Sequence, residues 1–249
     1  MEESVNTFSY KEVDTEGHET LDVIAEAENF NHWMYSTIKP YCKGRVLEVG
    51  SGVGNISAFF IQDGFKIYLT DIRDNYCAEL KRKFSAEPNV IGVENIDLVD
   101  ADFDTKYKHH LGSFDTVFAL NVIEHIENDG LAIANCKKLL TQNGNLIILV
   151  PAYQWLYNNF DKELYHYRRY TAKRMSALFT KSEIPVVRSF YFNTFGIAGW
   201  YFSGKMMKKK IIPRNQMRFY NAIISIAKWL DYVVLQRIGL SAIVVGKKK

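Results

Sequence analysis

The 249-residue chain has little cysteine, only Cys42, Cys77 and Cys136. They are odd in number, far apart and in no C-x-x-C pair, which argues against a disulfide framework and for reduced thiols in the cytosol. Long apolar runs are missing too. No uninterrupted stretch approaches the ~18 residues a membrane span needs, and the polar, acidic segment Met1 to Gly17 lacks the apolar centre of a secretory leader. A cytoplasmic protein is expected, free in solution or held at a membrane surface. Nor is there a large excess of one charge: 31 basic against 28 acidic side chains leave +3. With no recognition module visible, nucleic acid is disfavoured as a partner.

What the chain does have is apolar content, 47% of its residues, enough for one sizeable core. It also has an unusual cluster of glycines. The apolar run Arg45 to Val49 reads as a strand with Glu48 near its end, and Gly50, Ser51, Gly52, Gly54 and Asn55 follow before a helical stretch from Ile56 to Asp63. Glycines allow positive φ and bring bare backbone against a ligand, while the helix start turns its free N–H groups toward it. A second strand, Lys66 to Thr70, ends at Asp71, 71 − 48 = 23 positions past Glu48. An acid about 20 residues on is where a ribose hydroxyl pair is held. The dinucleotide fingerprint is G-x-G-x-x-G, but here the third glycine comes one residue early and an acid precedes the first. A carboxylate there repels a pyrophosphate and suits a cationic ligand.

In this form, (E/D)-x-G-x-G-x-G, the loop resembles the first motif of the class I S-adenosylmethionine (SAM) dependent methyltransferases. Ser113 to Ile126, with Phe114-Asp115, Asn121, Val122, Glu124 and His125, looks like that family's fourth strand and its continuation. Asn145 to Pro151 looks like the fifth. The resemblance implies an α/β, Rossmann-like, seven-stranded and mostly parallel sheet, with SAM as cofactor and S-adenosylhomocysteine as product. It also implies a cofactor site of Glu48, Gly50, Ser51, Gly52, Gly54, Asn55, Asp71, Ile72, Asp97, Leu98, Asn121 and Val122. Asp97, after the apolar run Val90 to Val93, is the adenine contact, with Asp100 and Asp102 as substitutes. Trp33, on a helix before the first strand (Asn29 to Tyr35), is either a cofactor cover together with Asn31 or a packing aromatic.

The remainder divides into a helical cover over 1–43, a cofactor-binding core over 44–192, a helical insertion or lid over 193–240, and a last strand with a basic tail over 241–249. Within it, Thr171 caps a helix from Ala172 to Thr180, Pro185 to Tyr191 reads as the sixth strand and Ser241 to Gly246 as the seventh. In the family these last strands are joined by a short turn, so a helical insertion between them is expected here. Its residues Ile223, Ile226, Ala227, Leu230, Val233 and Val234 recur at i+3 and i+4, an amphipathic helix. That helix packs on the domain or on a second copy in a homodimer, or it serves as a lid or membrane-facing arm. The interruptions Lys228, Asp231 and Arg237 rule out a span but suit an interface. The lysine runs 208–210 and 247–249 are solvated, or the first faces an anionic membrane or substrate beside the aromatics of 200–220.

One further polar cluster stands out, Tyr165-His166-Tyr167-Arg168-Arg169-Tyr170, just after Asp161. Two guanidinium forks flanked by tyrosines suit a phosphate or carboxylate on an acceptor, which makes Asp161, Tyr165, Arg168, Arg169 and Tyr170 candidate substrate contacts. The competing reading is an ion-pair network with Asp161 and Glu163. His166 is the first candidate general base and His125 the second, since methylating an alcohol or phenol removes a proton near neutral pH.

No (D/N)-P-P-(Y/F) follows the fourth strand, which disfavours base amino groups as acceptors. No cluster of ligand acids lies near that position in sequence, so metal is not expected. The segment D-x-x-x-x-H-Y-R-R-Y resembles bacterial methyltransferases of cell-surface glycan and lipid-linked sugar pathways. The expected function is methyl transfer, to oxygen, on a small-molecule or lipid-linked or glycan acceptor. The alternatives are a catalytically idle SAM-binding subunit of a membrane glycosyltransferase, and an aminopropyltransferase, which Arg168 and Arg169 fit badly.

Overall fold

The computed structural model describes residues 21–207, 209 and 213–249. Residues 1–20 of the expected cover, and Lys208 and Lys210 of the first lysine run, lie outside the described residues. Seven strands form one sheet: β1 (Arg45–Val49), β2 (Lys66–Asp71), β3 (Val90–Asn95), β4 (Phe114–Leu120), β5 (Leu140–Pro151), β6 (Val186–Phe192) and β7 (Ser241–Lys247). Their order is β3-β2-β1-β4-β5-β7-β6. The first five are parallel to one another, and β7 runs antiparallel between β5 and β6.

Alternation along the strands builds a core on each face. Leu47, Val117, Leu146, Ile148 and Val244 point to one side, where α4 (Asp129–Leu139) and α5 (Ala172–Lys181) cover them. Val46, Ile67, Phe118, Ile147 and Val245 point to the other, under α1 (Glu28–Ile38), α2 (Ser57–Gln62) and α3 (Asp74–Lys83). Strands covered on both faces read as near-continuous apolar runs, which is why 45–49 and 145–151 stood out. The Thr171 side chain caps α5 by accepting from the Arg174 N–H at 3.1 Å, and Asn128 caps α4 through the Leu131 N–H at 3.1 Å.

The insertion between β6 and β7 begins with a helical segment, Gly196–Trp200, continued over Tyr201–Met206. The helix expected from Ile223 to Val234 is α7 (Ile224–Val233), and a second helix, α6 (Arg214–Ala222), precedes it, the two broken at Ile223. The buried face differs from the expected one. Ile224, Ala227 and Asp231 point inward, while Ile226 and Val233 face out. The reason is Asp231, whose carboxylate accepts the backbone N–H groups of Asn193 and Thr194, both at 2.7 Å. A buried charge seeks charge-assisted hydrogen bonds before an apolar stripe seeks cover, so this residue sets the rotation of α7. Among the described residues no helix is long and apolar enough to cross a membrane.

Candidate cofactor and acceptor site

The glycine loop, Asp71, Asp97 and Asn121 converge beyond the carboxyl ends of β1, β2, β3 and β4, the edge where open α/β sheets take ligands. Gly50, Gly52 and Gly54 all have positive φ, at 72°, 52° and 79°. A Cβ on Gly50 would meet Val122 Cγ2 at 2.4 Å, and one on Gly54 would meet Phe84 Cε2 at 2.6 Å. Side chains are thus opposed on steric and conformational grounds at Gly50 and Gly54, and on conformational grounds at Gly52. Leu21 packs over Gly52, so the described start of the N-terminal cover does reach the loop.

Two buried acids flank this loop. Glu48, 4% exposed, accepts from the Ser57 hydroxyl at the start of α2, a partner not singled out in the sequence. Burial lifts its carboxyl to about 7, against the hydrogen bonds from Ser57 and Ser51, and the neighbouring Asp71 charge adds to the rise. Asp71 is clamped by two backbone N–H groups, from Gly52 and Arg73, both at 3.0 Å, while burial pushes its carboxyl up. Each of its oxygens keeps a lone pair for a hydroxyl. Ser51 ties β1 to β2, its N–H donating to Thr70 O at 2.8 Å. Asp97 follows β3, half-buried, with Oδ1 accepting the Val99 N–H at 2.9 Å, and Leu98 is buried beneath it. The Ile72 carbonyl is held by Asn95, and Asn121 sits at φ 55° on the exposed tip of β4.

Trp33 is placed differently from the expected cofactor cover. It is 7% exposed and packs on Phe192, ring centroids 4.3 Å apart, so its role is the core under α1. Asn31 is likewise buried, donating to Ile24 O at 2.8 Å.

The expected substrate clamp needs a larger correction. Arg169, 2% exposed, donates its Nε to Asp161 Oδ1 at 2.8 Å and Nη1 to Ala152 O at 3.0 Å. Asp161 is fully buried, and Tyr170 donates its hydroxyl to Asp129 at 2.9 Å. Arg168 is bound to Asp129 and the Glu127 carbonyl, both at 2.9 Å. Arg169 and Asp161 form a sealed pair beside β5 that does not reach an acceptor, while Arg168 and Tyr170 meet at Asp129 of α4, with 20% of the Arg168 side chain left exposed. Tyr165 alone of the five is exposed.

His166 belongs to the same network but sits at its edge. Its Nδ1 lies 2.8 Å from Asp161 Oδ1, leaving Nε2 for other work, and its ring meets His125 edge-on with centroids 4.6 Å apart. Burial pushes the imidazole down, against the pull of Asp161. Glu124, wholly buried beside them, has no hydrogen bond to either carboxylate oxygen, and burial lifts its carboxyl to about 8. Glu124 is not among the candidate site residues read from the sequence.

Residues 47–146 match the family model described as a methyltransferase domain. That range holds both acids, the glycine loop, the end of β1 and all of β2 to β4. Over those residues the chain is similar to a methyltransferase domain. Among curated relatives, polyketide synthase PksR of Bacillus subtilis (strain 168) is 30% identical over 130 residues, which is 49% of this chain and 5% of that protein. A highly reducing polyketide synthase of Pyrenophora dematioidea is 28% identical over 126 residues, again 5% of its length, so the chain spans about one-twentieth of the relatives it matches. Among solved structures, phosphoethanolamine N-methyltransferase 2 of Haemonchus contortus, bound to SAM, aligns over 98% of this chain and 60% of its own. Its identity is 15% and the TM-score 0.64. A SAM-dependent methyltransferase of Archaeoglobus fulgidus aligns over 88% of this chain and 94% of its own, at 15% identity and a TM-score of 0.57. The family model stops at residue 146, so 152–240 lies outside the matched range.

Proposed function

We propose that the protein transfers the methyl group of SAM to an oxygen of a lipid-linked or glycan acceptor at a membrane surface. The observation that carries the cofactor half is the pair of buried acids, Glu48 and Asp71, at adjacent strand ends beside the glycine loop. Glu48 has neutral hydroxyls as its side-chain hydrogen-bond partners, which suits a cationic ligand; Asp71, held by two amides, suits a ribose diol. SAM, when bound, supplies a methyl on sulfonium that is displaced in line, so the protein's task is mainly to align the acceptor and exclude water. His166, oriented by Asp161, offers Nε2 to take the hydroxyl proton. Asp97 and Leu98 line the adenine side, and Asn121 and Val122 the methionine and adenine side.

The acceptor half rests on the insertion. It turns Phe202, Phe219, Trp229, Tyr232, Leu235 and Ile238 outward, each half exposed or more, with Arg237 exposed beside them. Aromatics with adjacent cations suit the interface of an anionic bilayer. The Haemonchus neighbour has also been crystallised with phosphomonomethylethanolamine, a phosphate-bearing small molecule, so an anionic acceptor is compatible with this fold.

The test is incubation of the purified protein with methyl-labelled SAM and a cell-envelope extract, followed by separation of lipid-extractable from water-soluble products, with SAM binding measured by calorimetry. Label in the lipid fraction supports the proposal. Label in soluble small molecules overturns the acceptor class. Binding without transfer points to the idle-subunit alternative, and absence of SAM binding removes the whole reading.

A further inference from the structure

Glu124, His125 and His166 come from two segments more than forty residues apart, the turn after β4 and the segment after β5. One ligand atom from each lies within 4.8 Å of the others. We infer that this group binds a divalent transition-metal cation, of the zinc or cobalt kind, on the acceptor side of the site. The inference rests on the reading of that pocket as the acceptor side, but its test does not depend on methyl transfer.

Four observations support it. A buried carboxylate with both oxygens unpartnered is costly, and Glu124 is in that state at 0% exposure. A cation supplies the missing partner. Two imidazoles and one carboxylate are the donor set that first-row divalent metals prefer, whereas magnesium and calcium favour oxygen. The His166 Nδ1 is occupied by Asp161 at 2.8 Å, the carboxylate–histidine pairing that fixes a metal-binding ring and leaves Nε2 to ligate. His125 is part-exposed, which gives a route of entry.

The other cluster of similar composition behaves differently. Glu94, His109 and His110 also converge, but there Glu94 Oε2 already has Tyr68 at 2.9 Å, His110 at 2.7 Å and His109 at 3.3 Å. That carboxylate is satisfied by its neighbours, and nothing in it asks for an ion. The contrast separates a saturated ion pair from an incomplete coordination shell.

A cation held by Glu124, His125 and His166 would bind an acceptor hydroxyl and acidify it. His166 would then be a ligand and not the proton acceptor, and the proton would leave to solvent as the alkoxide forms the new C–O bond and the sulfonium leaves as a thioether.

The experiment is titration of chelator-treated protein with cobalt(II) chloride, read by visible d–d absorption, in wild type and in Glu124→Gln, His166→Ala, Asp161→Asn and His109→Ala variants. SAM binding checks that each variant is folded. The expected result is saturation near one equivalent in wild type and His109→Ala, loss in Glu124→Gln and His166→Ala, and affinity weakened about tenfold or more in Asp161→Asn. Absence of any cobalt spectrum in folded wild type overturns the inference and leaves the His166 base role standing. So does a spectrum that survives Glu124→Gln but is lost in His109→Ala, which would place the metal at the other cluster. Loss of SAM binding with cobalt binding intact would instead refute the cofactor reading alone.

Discussion

Replacing Glu48 by glutamine should stabilise the empty protein while removing its affinity for SAM. The carboxyl of Glu48 moves from 4.5 to about 7 on folding, because burial penalises its charged form more than the serine hydroxyls relieve it. The folded state therefore holds a proton more tightly than the unfolded chain does. Its stabilising effect is complete below pH 4.5 and is lost as pH rises through 7. At about 1.4 kcal/mol per factor of ten, the loss amounts to about 3 kcal/mol by pH 8. Glutamine keeps the shape and an acceptor for Ser57 but has no proton to lose. The Glu48→Gln protein should match wild type at pH 5 and exceed it at pH 8 by up to about 3 kcal/mol, a melting-point rise of about 6–12 °C in a chain of this size. Thermal unfolding at the two pH values, without cofactor, reads this directly. A cationic ligand restores the reason for the charge, so wild-type SAM affinity should rise between pH 6 and 8, and that of the variant should be weak and flat. A variant no more stable relative to wild type at pH 8 than at pH 5 would refute the claim that the site is strained by an unpaired carboxylate.

Asp71→Asn should weaken SAM binding by about 1.5–3 kcal/mol, or tenfold to a hundredfold in Kd by calorimetry, because hydrogen bonds to a charged acceptor are being replaced by neutral ones; unchanged affinity would separate Asp71 from the ribose. Asp231→Ala strands the amides of Asn193 and Thr194 and should cost about 2–4 kcal/mol in denaturant unfolding, whereas a cost under about 0.5 would show that those amides find water. The double change Trp229→Ser and Tyr232→Ser, at positions 64% and 78% exposed, should abolish flotation with anionic vesicles while leaving stability within about 0.5 kcal/mol. If the same change instead converts a sedimenting dimer to monomer, the face is an interface between copies.

The sheet was legible because buried parallel strands are written as apolar runs closed by an acid or a glycine, and Arg45 to Asp71 is such a passage. Strand limits moved by a few residues. The β5 strand starts at Leu140, five residues before the apolar run, because Leu140 pairs with Phe114 ahead of a register shift, and regular pairing resumes at Asn145 after a polar stretch that periodicity cannot detect. Asp71 and the glycine loop lie within one βαβ unit, so their meeting follows from local order. The cluster around His166 does not: whether Arg168 and Arg169 face a substrate or the protein depends on where α4 brings Asp129 to Arg168 and the end of β5 brings Ala152 to Arg169, contacts distant in sequence. Glu124 escaped notice for the same reason, since its isolation is a property of its surroundings. The helix pattern of 223–234 misled because hydrophobic spacing assumes that apolar groups choose the buried face, and in α7 the carboxylate of Asp231 made the choice.

The two ends of the insertion meet. Besides the Asp231 carboxylate on Asn193 and Thr194, the Leu240 N–H donates to Asn193 O at 3.0 Å and the Thr194 hydroxyl to Ile238 O at 2.6 Å. The excursion from 194 to 239 thus leaves and re-enters the β6–β7 hairpin through one gate, and the hairpin's register is blind to what lies beyond it. Because the entropy of closing a loop grows only slowly with its length, such a gate lets the outer parts of the segment be lengthened, shortened or exchanged with little effect on the sheet, while Ile224 and Ala227 keep α7 on the core. A fold built this way can keep one cofactor chemistry and change its clientele by rewriting a single pendant.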